Sequence, residues 1–185
     1  AALENNLIGG QDSNAKLYYI GPMFRYERPQ AGRQRQFHQV GVEAFGSASP
    51  LADVEVIDLS MAFLKSIGLA SLQLHISSVG CSECRPAFRK NLESYFADRI
   101  DSMCADCQRR LTQNPLRILD CKEQGCQPAI KEAPSSLDSL CTACQAHLKE
   151  VQSGLDTLNI AYTLNRRLVR GLDYYTRTTF EILSD

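Results

Sequence analysis

The chain has 185 residues, with 20 Lys and Arg against 21 Asp and Glu, a formal net charge of −1. Such a balance makes no overall field that calls for a polyanionic partner, so any nucleic-acid contact must come from a local patch. No apolar run approaches the roughly 20 residues that span a bilayer, and Ala1-Ala2-Leu3 with its mixed polar sequel is no signal peptide. The expectation is a cytoplasmic protein with no membrane partner. It opens without methionine and is expected to begin inside a longer protein.

The first predicted element runs from Leu17 through Arg28, rich in aromatic and apolar residues, and reads as a strand. Pro29 to Gln36 reads as a loop and Phe37 to Phe45 as a second strand, an antiparallel hairpin with a long mobile tip. Alternation on the second strand puts Phe37, Gln39, Gly41, Glu43 and Phe45 on one face. His38, Val40, Val42 and Ala44 take the other face, which is mainly apolar and is expected against a core. On the first face Gln39 and Glu43 flank a glycine that is expected to leave room for a ligand. Arg25, Arg28, Arg33 and Arg35 crowd the tip with one nearby acid, Glu27. Guanidinium forks match phosphate oxygens and keep their charge, and a strand-borne Arg25 is rigidly placed. The competing reading is a solvated basic hairpin with Glu43 paired to an arginine.

Ser49-Pro50 with Asp53 then starts a helix. Val54, Ile57, Met61 and Leu64 recur at helical spacing until Gly68. Leu72 to Ser77 is a strand. From Val79 to about Glu150 the pattern changes to short helical stretches (Phe88, Leu92, Tyr95, Phe96; then Leu140, Leu148, Val151, Leu155, Leu158). These are separated by cysteine pairs and a turn-rich stretch, Gln124 to Ser136. Ile160 to Leu164 and Arg177 to Leu183 return to strand. The simplest account is an α+β sheet domain, 1–78 and 159–185, interrupted by a mostly helical cysteine-rich insertion, 79–158.

All eight cysteines lie in that insertion, as Cys81/Cys84, Cys104/Cys107, Cys121/Cys126 and Cys141/Cys144. Three of the pairs have two intervening residues, and the spacer between the first two falls in the zinc-ribbon range. Four thiolates at about 2.3 Å make a closed structural zinc site. Eight would supply two such sites, or one site and spare thiols. Unliganded thiols and disulfides are the other readings, the last disfavoured in a reducing compartment. Spacing does not say which pairs share an ion. Lys90, Arg99, Arg109, Arg110 and Arg117 give the insertion a few basic groups, weak evidence for nucleic acid.

The string FRYERPQAGRQRQFHQVGVEAFG resembles motif 2 of class II aminoacyl-tRNA synthetases, in the form found in histidyl-tRNA synthetases. LVRGLDYYTRTTFE resembles the histidine-specific motif of that family. The two occur in the family's order and flank an insertion, so the resemblance covers nearly the whole chain. It implies a class II antiparallel β-sheet flanked by helices, in a homodimer that activates L-histidine with ATP and Mg2+ and transfers it to tRNA(His). On this resemblance Arg25 is the catalytic arginine at the ATP α-phosphate, with Glu27 and Arg33 on the ATP side. Gln39 and Glu43 face the histidine, and Arg28 and Gln30 lie in the loop that approaches the tRNA acceptor end. Arg170, also catalytic, stands between the histidine carboxylate and the α-phosphate beside Gly171, and Tyr174 and Tyr175 line the histidine pocket. The insertion would clamp the tRNA acceptor arm.

Motif 1 is expected before Ala1, and motif 3 with the anticodon-binding domain after Asp185. The chain alone is therefore expected to be inactive. One rival is a catalytically inactive regulatory subunit of histidine biosynthesis, which has no need of Arg25, Arg33 or Arg170. Another is a zinc-ribbon nucleic-acid binding module, which accounts for the cysteines and nothing else.

Overall fold

A computed structural model of the chain describes residues 4–5, 8, 14–26, 32–168 and 174–184. It divides into two compact units, Ala1–Ala52 and Asp53–Asp185. No helix among the described residues is long and apolar enough to cross a membrane.

The first unit is the predicted hairpin. β1 (Ala15–Phe24) pairs antiparallel with β2 (Gln36–Phe45), in a register running from Ala15↔Phe45 to Phe24↔Gln36. Partners across an antiparallel ladder share a face. One face therefore carries Leu17, Tyr19, Gly21 and Met23 against Glu43, Gly41, Gln39 and Phe37. The opposite face presents Tyr18, Ile20, Phe24 and Val40, which are 77%, 68%, 75% and 45% exposed. The expectation that this face lies against a core is not met among the described residues. A two-stranded ribbon has no second layer of its own and is marginal alone in water, and among the described residues the buried apolar side chains lie at Val54 or beyond.

α1 (Pro50–Ser66) begins where predicted. The Ser49 hydroxyl accepts from the Leu51 amide at 3.3 Å, and Pro50 sits at the first helical position, where a missing amide costs nothing. The predicted stripe is buried at Val54, Ile57 and Met61 and half-buried at Leu64. β3 (Gln73–Ser78) follows, and after it the insertion supplies α2 (Arg85–Ala97), α3 (Ala105–Gln113) and α4 (Gln127–Lys131). Short 3-10 turns at Pro115–Asp120, Gln124–Cys126 and Ser136–Ser139 join them. The stretch read as turns, Gln124 to Ser136, is thus largely helical. Its Pro128 lies in the first turn of α4, a position proline tolerates. α3 escapes a periodicity reading because Cys107 is its one buried residue. The insertion has its own core, with Phe88, Leu92 and Phe96 of α2 packed on Met103, Ile118 and Ile130.

α5 (Thr142–Thr157) returns to the sheet, followed by β4 (Tyr162–Leu164) and β5 (Thr178–Leu183). β3 is the central strand, parallel to β4 and antiparallel to β5, so this sheet is mixed. α1 and α5 cover one face of it through Val54, Ile57, Met61, Leu74, Ile76, Val151 and Leu155. The helices come close at Gly154, where a Cβ would stand 2.8 Å from Cγ2 of Val54. Gly154→Ala gains about 1 kcal/mol of helix propensity and loses roughly 1–3 kcal/mol by overpacking a stiff β-branched neighbour. A net loss of about 1 kcal/mol is expected in denaturant unfolding; a stabilised variant would contradict the close approach.

A polar tie joins the end of the insertion to the segment after β4. Asp138 accepts from the Ser135 amide at 3.0 Å and from Arg166 Nη2 at 2.5 and 2.6 Å. The Arg166 guanidinium holds the Asp138 carboxyl below its ordinary range. The contribution is therefore present above the normal carboxylate range, near 3.9, and is lost as pH falls through the lowered value. Both side chains are about half exposed, so Asp138→Ala is expected to cost only about 1 kcal/mol. Thermal unfolding should shift by about 2–4 °C at neutral pH, with the difference vanishing in acid.

Candidate active site and metal centres

The hairpin face gathers three of the predicted residues, Arg25, Gln39 and Glu43. Arg25 continues β1: its amide donates to the Arg35 carbonyl at 2.9 Å and its Nε to the Gln34 carbonyl at 2.9 Å. Its guanidinium lies 4.5 Å over the Phe37 ring, a cation–π contact that fixes its plane. Further along the same face stand Gln39 and Glu43. Arg33 is on the exposed loop side. Glu27, Arg28, Gln30, Arg170 and Gly171 lie outside the described residues.

The space expected above Gly41 is taken by Tyr19. A Cβ on Gly41 would fall 2.1 Å from the Tyr19 ring, so the glycine accommodates a cross-strand phenol rather than leaving room for a ligand. Gln39 Nε2 donates to the Tyr19 hydroxyl at 2.7 Å, which gives the Gln39 carbonyl oxygen the acceptor role. Sequence reasoning missed Tyr19. The signal was the register, which sets the only large side chain of the pair opposite a glycine.

In the second unit, Tyr174 and Tyr175 stack with ring centroids 4.7 Å apart, and Tyr175 raises the Tyr174 phenol above its usual value. Both rings are exposed, Tyr174 the more so. Two residues on, Arg177 adopts φ +60°, donates from its amide to the Gly80 carbonyl at 2.7 Å and accepts from the Val79 amide at 2.9 Å. Its Nη1 lies 3.4 Å from Nδ1 of the buried His147, whose Nε2 is 2.8 Å from Asp53 Oδ2. This Asp53–His147–Arg177 chain, also missed, links α1, α5 and the tyrosine loop. No local pattern announces it, since its members are 94 and 30 residues apart.

The cysteines form two clusters, each with all four sulfurs within 4.8 Å of one another. One unites Cys81, Cys84, Cys141 and Cys144; the other unites Cys104, Cys107, Cys121 and Cys126. The chain pairs its first CxxC with its last, and the order is nested. Either cluster could hold a metal ion. All eight cysteines are free thiols in this structure. The Cys84 and Glu83 amides lower the Cys81 thiol to about 6, whereas burial pushes Cys107 and Cys144 up. The basic groups of the insertion are partly engaged: Arg99 lies over the Tyr95 ring, and Arg109 pairs with Asp106 at 2.7 Å.

The family model described as histidyl-tRNA synthetase matches residues 3–185. A histidine–tRNA ligase of Desulforudis audaxviator is 57% identical over 183 residues, 99% of this chain and 43% of that protein. One from Syntrophotalea carbinolica is 53% identical over 174 residues, 94% of this chain and 42% of that protein. Among solved structures, apo histidyl-tRNA synthetase of S. aureus superposes with a TM-score of 0.73 at 40% identity, over 97% of this chain and 41% of that one. A Bacillus halodurans protein described as an ATP phosphoribosyltransferase regulatory subunit/histidyl-tRNA synthetase gives a TM-score of 0.58 at 22% identity, over 92% and 48%, a likeness of fold alone. The chain spans less than half the length of the curated relatives it matches.

Proposed function

Because the chain belongs to the histidyl-tRNA synthetase family, with the α+β fold of that class II enzyme, we propose that it supplies part of the catalytic domain of a histidine–tRNA ligase. That enzyme activates L-histidine with ATP and Mg2+ to the adenylate and transfers it to tRNA(His). The observation that carries the reading is the single face of the hairpin, with a pinned arginine at one end and then Gln39 and Glu43 in turn along it. Arg25 stands four residues along β1 from Gly21, the partner of Gln39, roughly 14 Å at about 3.4 Å per residue. That separation suits one extended ligand, an amino acid at one end and a phosphate at the other.

In this reading the histidine carboxylate attacks the α-phosphorus and pyrophosphate leaves. Arg25 donates to the α-phosphate oxygens as their charge grows, and Arg170 holds the carboxylate against the phosphate. Glu27 and Arg33 serve the ATP. The Gln39 carbonyl and the Glu43 carboxylate accept from the ammonium or imidazole N–H groups, and Tyr174 and Tyr175 line the histidine pocket. Arg28 and Gln30 meet the tRNA acceptor end. We assign the domain limits 1–78, 79–158 and 159–185, supported by the apolar cluster confined to the insertion; Val151 and Leu155 of α5, at the insertion's end, pack with the sheet. A homodimer in the cytoplasm is the expected assembly, and zinc is the metal we assign to the cysteine clusters, as a structural ion only. The inactive regulatory paralogue is disfavoured, because it needs neither Arg25 nor Arg33.

Pyrophosphate exchange by the full-length protein, assayed against every amino acid, tests the reading. Exchange with histidine alone is expected, and none from residues 1–185 by themselves. Retained histidine binding with no exchange would replace the ligase by the regulatory paralogue.

A further inference from the structure

A zinc ion held by four thiolates at about 2.3 Å needs sulfurs about 3.8 Å apart, the edge of its tetrahedron. A disulfide needs about 2.05 Å. The sulfurs of Cys81 and Cys84 are 3.5 Å apart, those of Cys81 and Cys141 3.8 Å, and those of Cys104 and Cys121 3.8 Å. Each cluster therefore holds sulfurs at zinc spacing, with all four within 4.8 Å of one another. Each also has donors that favour the thiolate form. The Cys141 amide donates to Cys84 Sγ at 3.2 Å, and the Cys104 amide to Cys126 Sγ at 3.3 Å. Cys84, Cys104 and Cys141 stand at the N-cap positions of α2, α3 and α5, where the positive helix end offsets negative charge.

The clusters differ in what surrounds them. Cys107, Cys121 and Cys126 are buried among Phe88, Leu92, Phe96 and Ile118, inside the core of the insertion. The other cluster lies at the root, where the insertion leaves and rejoins the sheet, with only Leu140 and Leu148 buried beside its cysteines. Gly80, next to Cys81, has φ +70°, and a Cβ there would fall 2.9 Å from Cys84 Cβ. The Gly80 carbonyl takes the Arg177 amide, and Ser136 Oγ donates to the Ser78 carbonyl at 2.7 Å. Two cysteines at the root are half-buried, against one in the core cluster.

We propose that the chain binds two zinc ions in nested, independent sites of unequal role. The inner ion (Cys104, Cys107, Cys121, Cys126) is part of the insertion's own core. The outer ion (Cys81, Cys84, Cys141, Cys144) fastens the two ends of the insertion together beside the loop bearing Tyr174, Tyr175 and Arg177. This rests on the zinc reading above and is separable from it.

The test needs no substitution. The zinc-loaded full-length protein is stripped stepwise with a chelator, and at each step iodoacetamide modification of every cysteine is read by peptide mass spectrometry alongside the zinc content. Loss of two ions in two steps is expected, exposing Cys81, Cys84, Cys141 and Cys144 first and the other four together later. As a second arm, Cys81→Ser with Cys141→Ser should lose one ion, and Cys81→Ser with Cys104→Ser should lose two. No zinc above background, with all eight thiols reactive from the start, would remove the zinc reading itself. Two ions whose cysteines become reactive in any other grouping, or all at once, would leave zinc standing and overturn the nested, independent sites.

Discussion

Under the proposed function, Arg25→Ala in the full-length protein is expected to lower the turnover of histidine-dependent pyrophosphate exchange by about 100- to 1000-fold, the usual cost of removing one preorganised donor to developing charge. The ladder hydrogen bond from the Arg25 amide survives the substitution, so the hairpin should stay folded. What is lost is the guanidinium, which the Gln34 carbonyl and the Phe37 ring hold in place before any ligand arrives. Arg25→Lys is expected to recover little. Lysine keeps the charge but has no Nε–H for the carbonyl, no plane to lie on the ring and no fork for two phosphate oxygens. Because the charge grows in the transition state, the loss should fall on kcat more than on the KM for ATP. A defect confined to that KM would reassign Arg25 to ground-state ATP binding.

Gly41→Ala should be the most damaging single-methyl change on the hairpin. The new methyl would sit 2.1–2.5 Å from two ring carbons and the hydroxyl oxygen of Tyr19, and a ring cannot yield as a flexible chain end does. Tyr19 must swing away, which breaks its 2.7 Å hydrogen bond with Gln39 and frees the Gln39 amide to reorient. Overpacking of this kind costs about 1–3 kcal/mol. With an acceptor displaced as well, kcat/KM for histidine should fall at least about 10-fold, since each 1.4 kcal/mol is a factor of ten. The decisive comparison is the same substitution in a Tyr19→Ala background, where the methyl meets no ring and should cost little. Equal penalties in both backgrounds would show that the contact with Tyr19 is not the cause.

Local chemistry was legible in the sequence wherever period and punctuation agreed. Ser49, Pro50 and the Val54–Ile57–Met61 stripe gave α1, and alternation sorted Gln39 and Glu43 from Val40 and Val42. It also announced an apolar face for a core, and there the inference ran ahead of the geometry: Tyr18 and Ile20 are exposed, because alternation states which side chains share a face and not what covers them. Gly41 was misjudged for a related reason. A glycine marks a close approach, but the approaching group, Tyr19, is set by a pairing 22 residues away. The cysteine motif gave the ligand type and not the partners. Nested pairing depends on where helices α2 and α5 return, which no spacer length encodes. The Asp53–His147–Arg177 chain is the extreme case, three ordinary polar residues joined only by the fold.

The order of strands has a consequence for biosynthesis. β3 is the middle strand of its sheet, yet both its neighbours, β4 and β5, are encoded after the insertion. A ribosome adding roughly 5–20 residues per second takes about 4 to 17 s to travel from the end of β3 to the start of β4. Through that interval β3 has two bare edges, the arrangement most open to wrong pairing. The intervening residues carry a core of their own, and Cys141 and Cys144 emerge before β4 does. The insertion can therefore finish first and bring its last helix back beside β3. The long loop that β4 would otherwise have to close is then already closed when that strand leaves the tunnel.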